Sequence, residues 1–217
     1  MDRVRDSYDA VARRYGNELS GELAGKPIDR ALYRAFSELV RDATDPPLVG
    51  DVGCGPGHVC AFLAGLGLRT IGVDPSPGMI AVARERHAGA DFALGHFAEL
   101  PAGDAAWAGA VAPYSIIHVP PEERPTAWAE LARVIRPGGW LLVAFHIETA
   151  EQAPGSTRHL TEWWDQPVDL DFHFIDPAQA AVELTAAGFQ LMARTDREPW
   201  PGRELASRRS YLLAQRV

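Results

Sequence analysis

Apolar residues in the first forty positions recur at spacings of three and four. Val4, Tyr8, Val11, Ala12 and Tyr15 share one face of a predicted helix over residues 3–15. Leu32, Phe36, Leu39 and Val40 repeat the pattern over 28–42. Pro46-Pro47 ends that second helix, and the run Leu48-Val49-Gly50-Asp51-Val52 launches a buried strand. The chain then alternates. Helices are predicted over 59–66, 79–87 and 121–135, the last stopped by Pro137-Gly138-Gly139. Strands are predicted over 69–74, 91–94 and 140–145, and position in the alternation places a further strand over 105–112. Apolar strands alternating with helices imply a parallel sheet covered on both faces.

The last third breaks that rhythm. Residues 147–176 mix Gly, Pro, Trp and acids without clear periodicity, the mark of an insertion or lid. A helix over 177–187 opens on Asp176 as N-cap with Pro177 in its first turn, and Gly188 closes it. Two strands, 189–197 and 207–216, follow around a Pro199-Trp200-Pro201-Gly202 loop and form an antiparallel edge pair. The expected organisation is one domain over 1–217, with a helical cap over 1–45 and a lid-like insertion over about 147–176.

Composition narrows the partners. No apolar run approaches the ~20 residues of a membrane helix, and the charged start leads into no signal-like stretch, so a cytoplasmic protein away from membranes is expected. A net charge of −8 with arginines scattered through both halves lacks the basic stripe that faces nucleic acid. A small, neutral or cationic partner fits better. The only cysteines, Cys54 and Cys60, are expected as reduced thiols. No set of Cys, His and acids shows metal-ligand spacing, so no metal is expected.

Asp51-Val52-Gly53-Cys54-Gly55-Pro56-Gly57 lies between a strand and a helix. Glycines there let the backbone approach a ligand and present amides at a helix N-terminus. The dinucleotide fingerprint needs a third glycine where this chain has His58. An acid, Asp74, ends the next strand and is placed to accept from both hydroxyls of a ribose. Together these suggest an adenosyl group without a pyrophosphate.

At these residues the chain resembles the class I S-adenosylmethionine-dependent methyltransferases, and the resemblance covers nearly its whole length. DVGCGPG is similar to that family's first motif, with Asp51, Gly53, Cys54, Gly55 and Gly57 at the cofactor. VDPSPGMIAVAR resembles the second, which sets Asp74 on the ribose, Pro75 beside it and Met79 on the adenine. In GHFAELP, His96 stands where the family usually has an acid for the adenine amine, and backbone groups of His96 and Phe97 stand in for it. APYSIIHVP resembles the end of the fourth strand, where the backbone around Tyr114 meets the methionine part. LARVIRPGGWLLVAFH resembles the last helix-turn-strand motif. SYDAVARRY resembles a cofactor-covering N-terminal helix, with Tyr15 towards the cofactor's carboxylate. The resemblance implies a Rossmann-like α/β sheet of seven strands in order 3-2-1-4-5-7-6, the last antiparallel, and methyl transfer from S-adenosyl-L-methionine to a small molecule.

A general base helps when the acceptor must lose a proton. His118, after the fourth strand, and His146, after the fifth, are the candidates, since an imidazole titrates near neutrality. His159 and His173 lie in the insertion, and His58 and His87 are expected on helix surfaces. Trp163, Trp164, Phe172 and Phe174 either wall a planar acceptor or pack the insertion onto the sheet. Two rivals keep the fold: another reaction of the same cofactor, such as aminocarboxypropyl transfer, or a non-catalytic binding module. The first expects acids after the fourth strand, where this chain has Pro113-Tyr114-Ser115-Ile116. A nicotinamide oxidoreductase would need the longer glycine spacing and a catalytic Tyr-Lys pair, and Lys26 is the sole lysine.

Overall fold

A computed structural model describes residues 2–41 and 47–217. Pro46, read above as part of a helix stop, and Met1 with 42–45 of the expected cap lie outside the described residues. Helices α1 (Asp2–Leu19) and α2 (Pro27–Arg41) flank a short 3-10 turn, Glu22–Gly25. Then come β1 (Leu48–Val52), α3 (His58–Gly65), β2 (Arg69–Asp74), α4 (Pro77–Arg86), β3 (Asp91–Leu94) and β4 (Trp107–Pro113). A second 3-10 turn, Ile116–His118, precedes α5 (Arg124–Val134) and β5 (Ile135–Glu148). The chain closes with β6 (Thr157–Trp163), β7 (Gln166–His173), α6 (Pro177–Ala186), β8 (Phe189–Arg197) and β9 (Arg208–Arg216).

Seven strands form one sheet in the order β3-β2-β1-β4-β5-β9-β8. Strands β1 to β5 are parallel, and β9 runs antiparallel between β5 and β8. That is the expected order, with β8 and β9 as the sixth and seventh strands of the resemblance. Strand β5 explains why its core reads as an unbroken apolar run: successive side chains point to opposite faces, and both faces are buried. Leu141, Val143 and Phe145 pack with Trp128 and Leu131 of α5 and Leu184 of α6. Leu142 and Ala144 face Phe36 and Val40 of α2 and Val59 and Leu63 of α3. Gly50 serves a close approach, since a Cβ there would lie 2.3 Å from the ring of Trp107.

Three expectations are corrected. The fifth strand starts at Ile135 and takes in Pro137-Gly138-Gly139 (Gly138 at φ +76°), because pairing of Ile135 with Trp107 captures the chain as soon as α5 ends. Helix α5 starts at Arg124, not at 121, with Pro125 in its first turn. The irregular insertion is in fact an ordered hairpin, β6–β7, turning through Trp164 and Asp165 at φ +55° and +62°. Two positive φ values in a two-residue turn match the right-handed twist of its strands.

The hairpin stands off the main sheet and packs on α1. Val11, Val168 and Leu170 are buried together, with Val4, Tyr8, Leu160, Trp163 and Phe172 around them. The backbone N–H of Asp169 donates to Ser7 Oγ at 2.8 Å, and Arg3 pairs with Asp169 at 3.0 Å at the exposed edge. Burying Val168 and Leu170 contributes roughly 1.5–3 kcal/mol each. The exposed ion pair contributes about 0–1 kcal/mol, so apolar packing holds the hairpin. On its other side α1 meets α4, whose N-terminal Ser76 Oγ and Gly78 N–H both donate to Asp9 Oδ1, the latter at 2.7 Å. Among the described residues no helix is long and apolar enough to cross a membrane.

Candidate active site

The glycine loop after β1 is wound tightly at the edge of the sheet. Gly53, Gly55 and Gly57 all have positive φ, and Gly57 starts α3. A Cβ on Gly53 would lie 2.1 Å from Ser115 Cβ, so the β1 and β4 ends close on each other there. Ser115 Oγ donates to the Val52 carbonyl at 2.6 Å and stitches those two ends together. This is the switch point of the sheet, where strand order reverses and a crevice opens.

Asp74 stands across the loop. Its carboxylate accepts from Gly55 N and Ser76 N, both at 2.9 Å. Burial lifts Asp74 to about 6, only partly offset by those two amides. Asp51 is wholly buried; its Oδ2 accepts from Cys60 Sγ at 3.3 Å, and its Oδ1 has no partner. Burial lifts Asp51 to about 6 as well, against the Cys60 hydrogen bond. Two carboxylates whose charge burial disfavours form a site that gains from cations and hydroxyl donors.

Both acids line a cavity of about 120 Å³. Its wall includes Gly53, Cys54, Gly55, Pro75, Met79, His96, Phe97 and Tyr114. Tyr15 and Tyr8 of α1 roof it. The structure therefore brings almost every predicted cofactor residue together, Gly57 standing just behind as the N-cap of α3. Cys54 also packs into the apolar cluster of Cys60, Ile80 and Phe92, and both thiols are free, buried and pushed up by that burial. His96 is held in place by its Nδ1, which accepts from Ala98 N at 3.2 Å.

Sequence reasoning missed Glu22. It projects from the first 3-10 turn into the same cavity, accepting from Lys26 Nζ at 2.7 Å, with His58 Nε2 3.3 Å from its other oxygen. Burial would raise Glu22, but His58 and the Lys26 ammonium outweigh it and hold the carboxyl down at about 2. His58, expected on a helix surface, is a cavity wall residue instead. The sole lysine and a Glu four residues before it were the available signal.

A second chamber of about 970 Å³ adjoins the first, and Tyr8, Tyr15, Glu22 and Tyr114 line both. Its far walls come from the hairpin through Trp163, Trp164, Phe172 and His173, from β5 through His146, from the segment before β9 through Glu204, and from β9 through Arg209. Trp163 and Trp164 stack at 4.9 Å, and Tyr15 meets the edge of Trp163 at 5.6 Å. A buried charged group supports Tyr114 from behind. Tyr211 OH donates to Asp29 Oδ1 at 2.9 Å, Arg197 reaches Asp29 at 3.0 Å, and Glu204 binds both Arg197 and Arg209.

The two candidate bases separate. His118 lines the first cavity, with Nδ1 2.9 Å from the Asp171 carbonyl and Nε2 2.7 Å from Tyr8 OH. Burial lowers it to about 4. His146 lines only the second chamber, with Nδ1 2.6 Å from Ser207 Oγ, and burial lowers it to about 3. His159 pairs with Asp171 at the exposed edge of the hairpin. Among the described residues no three His, Cys, Asp or Glu side chains gather as a metal site.

Known proteins resemble this chain. A family model described as a methyltransferase domain matches residues 49–139. The malonyl-[acyl-carrier protein] O-methyltransferase of Serratia marcescens is 32% identical over 174 residues, 79% of this chain and 58% of that protein. The ubiquinone/menaquinone biosynthesis C-methyltransferase UbiE of Rubrivivax gelatinosus is 33% identical over 173 residues, 79% of this chain and 62% of that protein. The chain spans about three-fifths of the length of these curated relatives. Among solved structures, the [4+2]-cyclase SpnF superimposes with a TM-score of 0.73 over 98% of this chain and 95% of that one. At 20% identity, that likeness is one of fold alone.

Proposed function

We propose that the chain is a class I S-adenosylmethionine-dependent methyltransferase, a reading supported by the matching methyltransferase-domain model and the methyltransferases it resembles, and that it methylates a small molecule seated in the second chamber. The observation that carries this proposal is the pair of adjoining chambers, one behind the glycine loop and one walled by aromatic rings, meeting at Tyr8, Tyr15, Glu22 and Tyr114. Two ligands in line across a junction are what a direct displacement needs.

The first chamber suits the cofactor. Asp74 has lone pairs left for ribose hydroxyls after binding two amides, and a carboxyl lifted by burial gains when such donors arrive. Met79 offers an apolar surface to the adenine, beside backbone groups of His96 and Phe97. The unpartnered Oδ1 of Asp51, with Glu22 and Tyr15, faces the space left for the methionine end. When bound, S-adenosylmethionine supplies a methyl group on a sulfonium, and the protein's part is to place a nucleophile opposite it.

The second chamber suits an acceptor with a flat apolar body. Trp163, Trp164, Phe172 and Tyr15 supply ring faces and edges. Bringing the reacting atoms to ~3–3.5 Å in line supplies several kcal/mol before any side chain acts.

Calorimetric titration with S-adenosylmethionine and with its demethylated product tests this function. Micromolar binding of both is expected, followed by methyl transfer in an acceptor screen. Absence of binding by either would overturn the cofactor site. Tight binding with no transfer across phenols, amines and carbon acids would favour a non-methyl-transfer role on the same fold.

A further inference from the structure

Resting on the methyltransferase reading, we propose that Tyr8 is the catalytic residue that takes the acceptor's proton, that His118 acts through it as a positioning residue, and that the acceptor is an aryl hydroxyl. The geometry runs in one line. The Asp171 carbonyl can only accept a hydrogen bond, so the neutral imidazole of His118 carries its hydrogen on Nδ1, 2.9 Å away. Nε2 is then a bare lone pair, and the Tyr8 hydroxyl, 2.7 Å from it, must be the donor. The hydrogen of Tyr8 is committed to His118 Nε2, and its oxygen lone pairs remain for a donor at the junction of the chambers, which Tyr8 lines from both sides. His118 itself has no free nitrogen to offer an acceptor.

Both groups rest uncharged. Burial raises Tyr8 well above its ordinary value, with Tyr15 and Asp74 adding to the rise. Burial holds His118 at about 4, against the opposing pull of the Asp171 carbonyl. The lone pair on Nε2 is thus present across the physiological range. With S-adenosylmethionine bound, the acceptor oxygen would bond the methyl carbon as the carbon–sulfur bond broke, its electrons staying on sulfur. The acceptor's O–H proton passes to Tyr8 Oη while the Tyr8 proton passes to His118 Nε2. The positive charge that leaves sulfur ends on the imidazolium, whose Nδ1–H remains bonded to the Asp171 carbonyl. One proton and one charge are conserved.

The chemical class follows from the same atoms. A neutral amine attacks before it loses a proton and has little use for a buried acceptor, whereas a phenol must lose one. Trp163 meets Tyr8 edge-on at 6.0 Å, and Phe172 meets His118 edge-on at 4.8 Å, so the pair is set among rings that would hold an aryl plane beside it.

The test uses the full chain, 2-naphthol (protonated at mildly alkaline pH) and 4-nitrophenol (largely ionised there), with binding of the demethylated cofactor measured alongside. Wild type should methylate 2-naphthol, and Tyr8→Phe should lower that turnover by about 10²–10⁴-fold. The loss with 4-nitrophenol should be much smaller, and cofactor-product affinity should stay within about threefold, which also shows that the variant folds. Nitrogen-15 resonances of the His118 ring, assigned by difference with His118→Asn, should show Nδ1 protonated and Nε2 bare, with Nε2 shifting in Tyr8→Phe. A protonated Nε2, an equal loss with both phenols, or a cofactor-binding wild type that methylates neither would overturn the proposal. Failure of wild type to bind the cofactor product would instead overturn the methyltransferase reading beneath it.

Discussion

The two chambers are built in opposite ways. The first is shaped by backbone: a loop with three glycines at positive φ, two amides bonded to Asp74, and strand ends locked by Ser115. Its floor comes from short segments that follow strands of one sheet, under a roof of α1 and the first 3-10 turn. The second is shaped by side chains from regions far apart in the chain, among them α1, the first 3-10 turn, the β6–β7 hairpin, β5, the segment before β9 and β9 itself. A chamber of backbone is rigid and tolerates little change, whereas a mosaic of side chains can alter one wall at a time. That division fits a common cofactor met by varied acceptors.

The comparison can be broken most severely at the wall the chambers share. Asp29 is 1% exposed and holds Arg197, Tyr114 and Tyr211 behind that wall. Asp29→Ala is expected to cost about 3–5 kcal/mol in denaturant unfolding, because it takes a buried carboxylate from Arg197, which keeps Glu204, and from the Tyr114 and Tyr211 hydroxyls, which keep each other. A cost under about 1 kcal/mol would mean that the Glu204 pairs carry Arg197 alone.

Asp74→Ala comes next and separates the chambers. Losing a charged acceptor for two hydroxyls should weaken cofactor binding by about 2–3 kcal/mol, roughly 30- to 150-fold by calorimetry. The hairpin's packing should be unmoved, since none of its contacts involve Asp74. Unchanged affinity would remove the proposed cofactor pose.

Acidity offers a subtler cut. Asp51 and Asp74 sit near 3.8 in the unfolded chain and about 6 when folded, so the folded state holds more protons between those values. Stability of the ligand-free protein should therefore fall, by an order of 1–3 kcal/mol per group, as pH rises from about 4 to about 6. Asp51→Asn should flatten that slope, and a scan of unfolding midpoint against pH reads it. Cofactor affinity should move the other way and weaken below about pH 6, where Asp74 gains a proton.

The smallest effect sharpens the second chamber. Asp165 is exposed at φ +62° in the hairpin turn, where glycine is less strained. Asp165→Gly should raise stability by roughly 0.5 kcal/mol, read as a small upward shift in Tm, with cofactor affinity unchanged. Destabilisation would mean that the exposed contact to Arg14 matters more than the turn.

Legibility followed the same line. The limits of β1 and β2 were readable to the residue, because a buried parallel strand is a compact apolar run bounded by turn residues, and those of the edge strand β3 followed from its place in the alternation. The Asp176 cap of α6 was readable because its side chain bonds Ala178 N two residues away. The β6–β7 hairpin was not. Its strands face α1 on one side and a chamber on the other, so polar and aromatic residues occupy positions that simple alternation would make apolar. Glu22 was equally hidden, since its importance rests on His58, distant in the chain.

The sequence by itself determined the alternating strands and helices, the antiparallel edge pair and the glycine loop with Asp74, because local propensity, burial pattern and backbone conformation are written in neighbouring residues, while the strand order came from the family resemblance. Tertiary structure alone decided what His118 can do. Whether that imidazole meets an acceptor or a tyrosine depends on how α1 and β7 converge on it from opposite ends of the chain. No spacing records such a meeting. It is fixed by the packing of Val11, Val168 and Leu170, which brings Tyr8 and the Asp171 carbonyl to the two nitrogens of one ring.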